Sequence, residues 1–170
     1  MKLLILGAGG HGKVVREVAE AICDTEGKRI YSQIDFLDDN SVLAIGKLSE
    51  LERYRDTYEC GFAAIGNNNF RKKCLEELKK AGFQIPVLVH PTAYISPSAV
   101  LEEGTVVEPK ASVNANAVIK KGCIISIGAI VDHDVVVGEC AHVNAGAICK
   151  AGSVIEEERK LEAGEVVKGY

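Results

Sequence analysis

The triplet Asp132-His133-Asp134 interrupts a run of small and branched apolar residues, GAIVDHDVVVGECAHVNAG over 128–146, and a second histidine, His142, follows nine residues after His133. An imidazole between two carboxylates is an arrangement for general-base chemistry. One ring nitrogen donates to a carboxylate, which fixes the tautomer, and the other is left to take a proton near neutral pH. The plainer reading is a polar corner, tolerated because it faces water. A catalytic zinc needs three protein ligands, and two histidines nine apart do not supply them, so no metal is expected.

A second group of candidates lies near the N-terminus. In KLLILGAGGHGKVVREVAEAI an apolar strand runs into Gly7, Gly9 and Gly12, a G-x-G-x-x-G pattern, and then into an amphipathic helix. Backbone N–H groups at such a helix start receive phosphate, which makes Gly9, Gly10 and His11 candidates. The alternative is a tight turn that needs glycine for packing, with His11 capping the helix. The alternating segment RIYSQIDF ends in LDDN, which puts Asp38 and Asp39 at a strand terminus, as ligand groups or as a solvated turn. The strand CGFAAIG ends at Gly66. Asn67 to Asn69 read as the N-cap of a helix NFRKKCLEELKKAG, with Arg71 to Lys73 as its solvated first turn. VLVH reads as a last short strand, and His90, before Pro91, as structural. These residues make about half of a dinucleotide-binding fold. Half a fold suits a mononucleotide or nucleotide-sugar better than NAD, which argues against an oxidoreductase.

The elements that must position the DHD triplet come from a repeat. Read in sixes from Ile95, the first positions are aliphatic or cysteine (Leu101, Val107, Val113, Ile119, Ile125, Val131, Val137, Val143, Cys149, Ile155), and a small residue or valine follows four later, as at Ala111, Ala117 and Ala129. This pattern describes a parallel β-helix whose narrow interior admits one aliphatic and one small side chain per side. No Phe, Trp or Tyr occurs between Ile95 and Gly169, whereas all four phenylalanines lie before Tyr94. The composition therefore predicts two domains, an α/β Rossmann-like half fold over 1–90 and a β-helix over 91–170.

The 170 residues carry a formal charge of −4, with 47% hydrophobic and 26% charged residues, and no basic cluster. Nucleic acid is not expected as a partner. No apolar run approaches the roughly 20 residues of a membrane span, and the N-terminal apolar run lacks a cleavage site. The six cysteines contain no C-x-x-C pair and sit among apolar residues, as reduced thiols of a cytoplasmic protein would.

Taken in order, GAGGHGKVV, FLDDN, AIGNNNFRKK, HPTAYISPSAV and VDHDVVVGECAHV resemble the bacterial hexapeptide-repeat acyltransferases that N-acetylate UDP-linked amino sugars, together with the sialic acid O-acetyltransferases. The resemblance covers Lys2 to about Ser153. It implies a left-handed β-helix with three hexads per coil, a homotrimer, and acetyl-CoA as cosubstrate. It implies that Gly9, Gly10, His11, Asp38, Asp39 and Gly66 hold the UDP-amino-sugar. His133 with Asp134 would be the catalytic base, while His142 and Ala151 would meet acetyl-CoA. With three hexads per coil, residues 18 apart stack, so Val100, Val118, Val136 and Val154 form one outward column. Such a column calls for cover by neighbouring subunits or by the N-terminal domain. Relatives continue for about four more hexads, coils that help to hold coenzyme A; here the small positions become Arg159 and Glu165. A shortened enzyme and a catalytically silent nucleotide-sugar-binding trimer are the two consequences to weigh. The sugar, and N- against O-acetylation, stay open.

Overall fold

The computed structural model describes residues 1–170, which divide into two compact units, Met1–Pro86 and Val87–Tyr170. In the first unit, β1 (Lys2–Leu6) leads through the glycine loop into α1 (Gly10–Ala21) and then to β2 (Gln33–Leu37) and β3 (Ala44–Gly46). A 3-10 helix (Leu48–Tyr54), β4 (Cys60–Ala63) and α2 (Asn68–Lys80) follow. The four strands form one parallel sheet in the order β3-β2-β1-β4. Leu3, Leu4, Ile5, Leu6, Phe36, Leu37 and Phe62 are fully buried on it. Near-continuous apolar strands of this kind are what a parallel sheet covered on both faces requires.

Two glycines of the loop are structurally obligatory. Gly7 has φ +101°, and a Cβ there would press on Ile65 and the Ala64 carbonyl; a Cβ on Gly12 would lie 2.1 Å from the Gly7 oxygen. A turn this tight and a helix this close to its strand admit no side chain at either position. At Gly9 and Gly10 a Cβ would meet nothing within 4 Å. Packing therefore does not explain those two glycines.

The second unit is a left-handed parallel β-helix of two-residue strands, β5 (Leu88–Val89) through β17 (Val166–Val167), in three parallel sheets. Each strand pairs with the one 18 residues on, as in Val118↔Val136 and Ile130↔Ile148. From Val107 to Leu161 every first position of the hexad is fully buried, and so are the small positions from Thr105 to Ala147. From Gly104 to Gly164 the fourth position takes positive φ: Gly104, Gly122, Gly128, Gly146, Gly152 and Gly164, but also Lys110, Asn116, Asp134, Cys140 and Glu158. A left-handed conformation costs a non-glycine residue about 1–2 kcal/mol. Here it is accompanied by a ladder bond to the coil before, such as Asp134 N–H to the Ala115 carbonyl at 2.9 Å.

Three expectations need correction. VLVH does not close the N-terminal sheet. β5 pairs with Val106–Val107, because Val89 and Ala93 already obey the hexad spacing and pack on the β-helix core. Arg71 is not solvated but 1% exposed. Its guanidinium donates to the Ile65 carbonyl and to Asn68 Oδ1, both at 2.8 Å, which satisfies a charge that burial would otherwise penalise. Cys23 is exposed, while the other five cysteines are buried, all six as free thiols. The repeat, moreover, persists beyond Ser153. Leu161 is fully buried, and Arg159 and Glu165, at the two small positions, pair with each other at 2.8 Å.

Candidate active site

Asp132, His133 and Asp134 form the corner between the strands Ile130–Val131 and Val136–Val137. Turning the coil there lifts all three side chains off the core, while Val131 and Val135 on either side stay fully buried. The His133 side chain remains 45% exposed, and its Nδ1 lies 2.8 Å from Asp134 Oδ2. That bond is the main reason the His133 pKa is raised above the ordinary histidine value; the negative charges of Asp132 and Asp134 add to it. Conversely, the Asp134 pKa is lowered, first by the bond from His133 and then by one from Asn116. With Nδ1–H donated to the carboxylate, Nε2 carries the lone pair, the state a general base requires.

The coil beneath supports the corner residue by residue. Asn114 Nδ2 donates to Asp132 Oδ1 at 3.1 Å, and Asn116 Nδ2 donates to Asp134 Oδ1 at 3.2 Å. Asp132 Oδ1 also accepts the His133 backbone N–H at 2.8 Å, and the Asp132 pKa is lowered chiefly for that reason. Between the asparagines, Ala115 stands below His133 and leaves the ring free of a side chain. On the other side, around Ala151, the C-terminal residues narrow the space. Gly169 packs on the Ala151 carbonyl, Tyr170 covers Gly152, and the Tyr170 ring centroid lies 6.4 Å from that of His133. The Tyr170 hydroxyl donates to Asp134 Oδ2 at 3.4 Å. The pKa of Tyr170 is raised by desolvation first and then by the charge of Asp134.

His142 belongs to a different sheet, in the column Val106, Ile124, His142. Its Nε2 is 2.9 Å from Ser126 Oγ. Within one chain the two histidines therefore have separate partners, and the fold does not bring them together. No group of three or more His, Cys, Asp or Glu side chains is placed to hold a metal ion.

In the N-terminal unit, Gly9 is the N-cap of α1, and Gly10 and His11 begin its first turn. Asp38, at the end of β2, accepts the Ala8 N–H at 2.8 Å and the Asn40 N–H at 2.8 Å, which lowers its pKa in that order of importance. Asp39 accepts the Leu48 N–H at 3.1 Å. Gly66 is exposed just before Asn67, which caps α2 by accepting the Phe70 N–H at 2.9 Å. Glycine loop, paired aspartates and Gly66 loop all follow the C-terminal ends of parallel strands, where open α/β sheets bind ligands.

The comparisons with known proteins agree with this architecture. Residues 2–78 match the family model of the PglD N-terminal domain. The acetyltransferase domain of PglB from Neisseria gonorrhoeae FA1090, solved in complex with acetyl coenzyme A, is 37% identical, with a TM-score of 0.89 over 99% of this chain and 82% of that one. The chain belongs to the hexapeptide-repeat sugar acetyltransferases. PerB from Caulobacter crescentus, solved with CoA and GDP-perosamine, is 31% identical, with a TM-score of 0.81 over 99% of this chain and 89% of that one. UDP-N-acetylbacillosamine N-acetyltransferase of Bacillus subtilis (strain 168) is 37% identical over 112 residues, 61% of this chain. That match spans 49% of the Bacillus protein, about half its length.

Proposed function

We propose that this acetyltransferase moves the acetyl group of acetyl-CoA onto the amino group of a nucleotide-linked amino sugar, with UDP as the nucleotide. The observation that carries the reading is the His133–Asp134 pair, 2.8 Å apart on an accessible corner of the β-helix. The sugar amine attacks the thioester carbonyl as His133 Nε2 takes its proton. A C–N bond forms, the C–S bond breaks, and the proton passes to the departing CoA thiolate. Asp134 holds the tautomer and supports the imidazolium. His142 or a backbone N–H stabilises the oxyanion, and Ala151 borders the acetyl-CoA side. Gly9, Gly10 and His11 present the start of α1 to the diphosphate, with Asp38, Asp39 and Gly66 around the rest of the nucleotide-sugar.

The working form in this proposal is a homotrimer packed through the valine column. Val100 is 51% and Val154 64% exposed, and Val118 and Val136 are half-buried, so the chain by itself leaves the column uncovered. Three such faces around an axis bring the His142 sheet of one subunit toward the His133 corner of the next, so each site is shared. The proposed location is the cytoplasm, where the acetyl donor is made; no helix is long and apolar enough to cross a membrane.

The test is incubation with acetyl-CoA and a panel of UDP- and GDP-linked amino sugars while thiol release is followed, with product mass separating N- from O-acetylation. Release with an amino sugar but not its hydroxyl analogue supports the proposal. Release from no member of the panel, with UDP-sugar binding intact, favours a silent binding trimer.

A further inference from the structure

One coil below the DHD triplet, Asn114-Ala115-Asn116 repeats its outline: an asparagine lies under each aspartate and an alanine under the histidine. We infer that Asn116 is a positioning residue for the base, acting through Asp134. A carboxylate at an exposed corner rotates about χ2, and only one plane, with its two oxygens equivalent, turns an oxygen toward His133 Nδ1. Asp134 also has φ +58°, which aims its side chain but does not fix that rotation. The Asn116 amide does: Nδ2–H binds Oδ1 at 3.2 Å and leaves Oδ2 to His133 at 2.8 Å. Asn116 is itself held, since its backbone N–H donates to Ser98 Oγ at 3.1 Å, and Ser98 Oγ is 3.2 Å from Ser96 Oγ. The support thus runs up one column, Ser98, Asn116, Asp134, and ends on the ring. Asn114 performs the parallel task on the other flank, where Asp132 Oδ1 receives both its amide and the His133 N–H.

The consequence is a tautomer. A histidine side chain in water favours Nε2–H, whereas a base working through Nε2 must carry its proton on Nδ1. Fixing Asp134 selects the second form. The catalytic part of this inference rests on the reading of His133 as the base, but the tautomer is observable without turnover.

Two substitutions test it. Asn116→Gly suits the backbone, because glycine already occupies the equivalent positive-φ position at Gly122, Gly128 and Gly146. Asn116→Asp keeps the shape and replaces the donor by a carboxylate that repels Asp134. Nitrogen-15 NMR of the neutral His133 ring should show Nδ1–H dominant in the parent and Nε2–H gaining in both variants. The kcat should fall about tenfold, the value of one hydrogen bond to a charged group, with KM for the nucleotide-sugar unchanged. If both variants keep the parent's tautomer ratio and kcat, Asn116 merely turns the chain and the inference is wrong. A shifted tautomer in a protein whose parent form transfers no acetyl leaves the positioning role standing and removes the proposed activity instead. Thermal unfolding midpoints near the parent's confirm that the variants are folded.

Discussion

Substitution of His133 and Asp134, with the pH profile followed for each, tests the mechanism most directly. A positioned general base contributes about 10²–10⁴ to rate, so His133→Ala should lower kcat by that factor while nucleotide-sugar affinity stays close to the parent's. Asp134→Ala keeps the imidazole and loses the 2.8 Å bond that selects its tautomer, together with the longer bonds from Asn116 and Tyr170; the loss should be smaller, on the order of tenfold to a hundredfold. The same bond is the first cause of the raised His133 pKa. Activity needs the neutral ring, so the acid limb of kcat/KM should lie above the ordinary histidine value of about 6.5. In Asp134→Ala the limb should move down toward it. The stability linkage has the opposite sense: a raised folded pKa gives stability that is present below the unfolded value and lost as pH rises through the folded one. With both side chains nearly half exposed, 45% and 47%, solvent screening keeps the ion pair's own contribution to the unfolding midpoint small. The assay is initial-rate acetyl transfer across pH with thiol detection. Acetyl transfer by His133→Ala at the parent rate would reduce the triplet to a tolerated polar corner. An acid limb unmoved in Asp134→Ala would show that some other group titrates.

Replacing Val118 and Val136 together by Asp should convert trimers into monomers, measured by light scattering against the 18.2 kDa chain mass. Covering what remains exposed of each of these half-buried valines contributes at most about 1 kcal/mol, and a carboxylate there has no partner; a monomeric parent protein would refute the assembly. Gly10→Asp meets no steric obstacle and places an acidic residue in the first turn of α1, where it suits the helix dipole. The variant should therefore fold as well as the parent yet lose UDP binding in calorimetry, and retained UDP affinity would move the phosphate elsewhere. Mixed trimers of His133→Ala and His142→Ala chains should regain part of the lost activity, since some interfaces then pair an intact His133 with an intact His142. No regain on mixing means that each chain carries a complete site.

Much of the β-helix was legible because its period leaves nothing else to decide. An aliphatic residue every six positions, with a small one four later, states which side chains point inward, and Val107 to Leu161 are buried accordingly. The N-terminal unit was less transparent. Its glycine loop and Asn67 cap follow local rules, but the burial of Arg71 depends on where the Ile65 carbonyl lies, and no local pattern records that. β3 and the 3-10 helix after it are too short to carry a period.

The register of the coil also converts offsets in sequence into contacts, and the support of the site becomes readable once that is used at the flanks of His133 and not only beneath its ring. Ser98, Asn116, Asp134, Gly152 and Tyr170 are each 18 residues apart. Asn116 meets Asp134 from below because they are neighbours in that column. Tyr170 is two coils above Asp134, too far for contact unless the intervening position is empty. Gly152 empties it: a Cβ there would sit 1.9 Å from the tyrosine ring, and through that gap the hydroxyl reaches the Asp134 carboxylate. A column holding serine, asparagine, aspartate, glycine and tyrosine is thus tied together by side-chain contacts from one coil to the next. Each residue in it is of the size and polarity that its neighbour 18 positions away requires, and the sum of those requirements points at one imidazole.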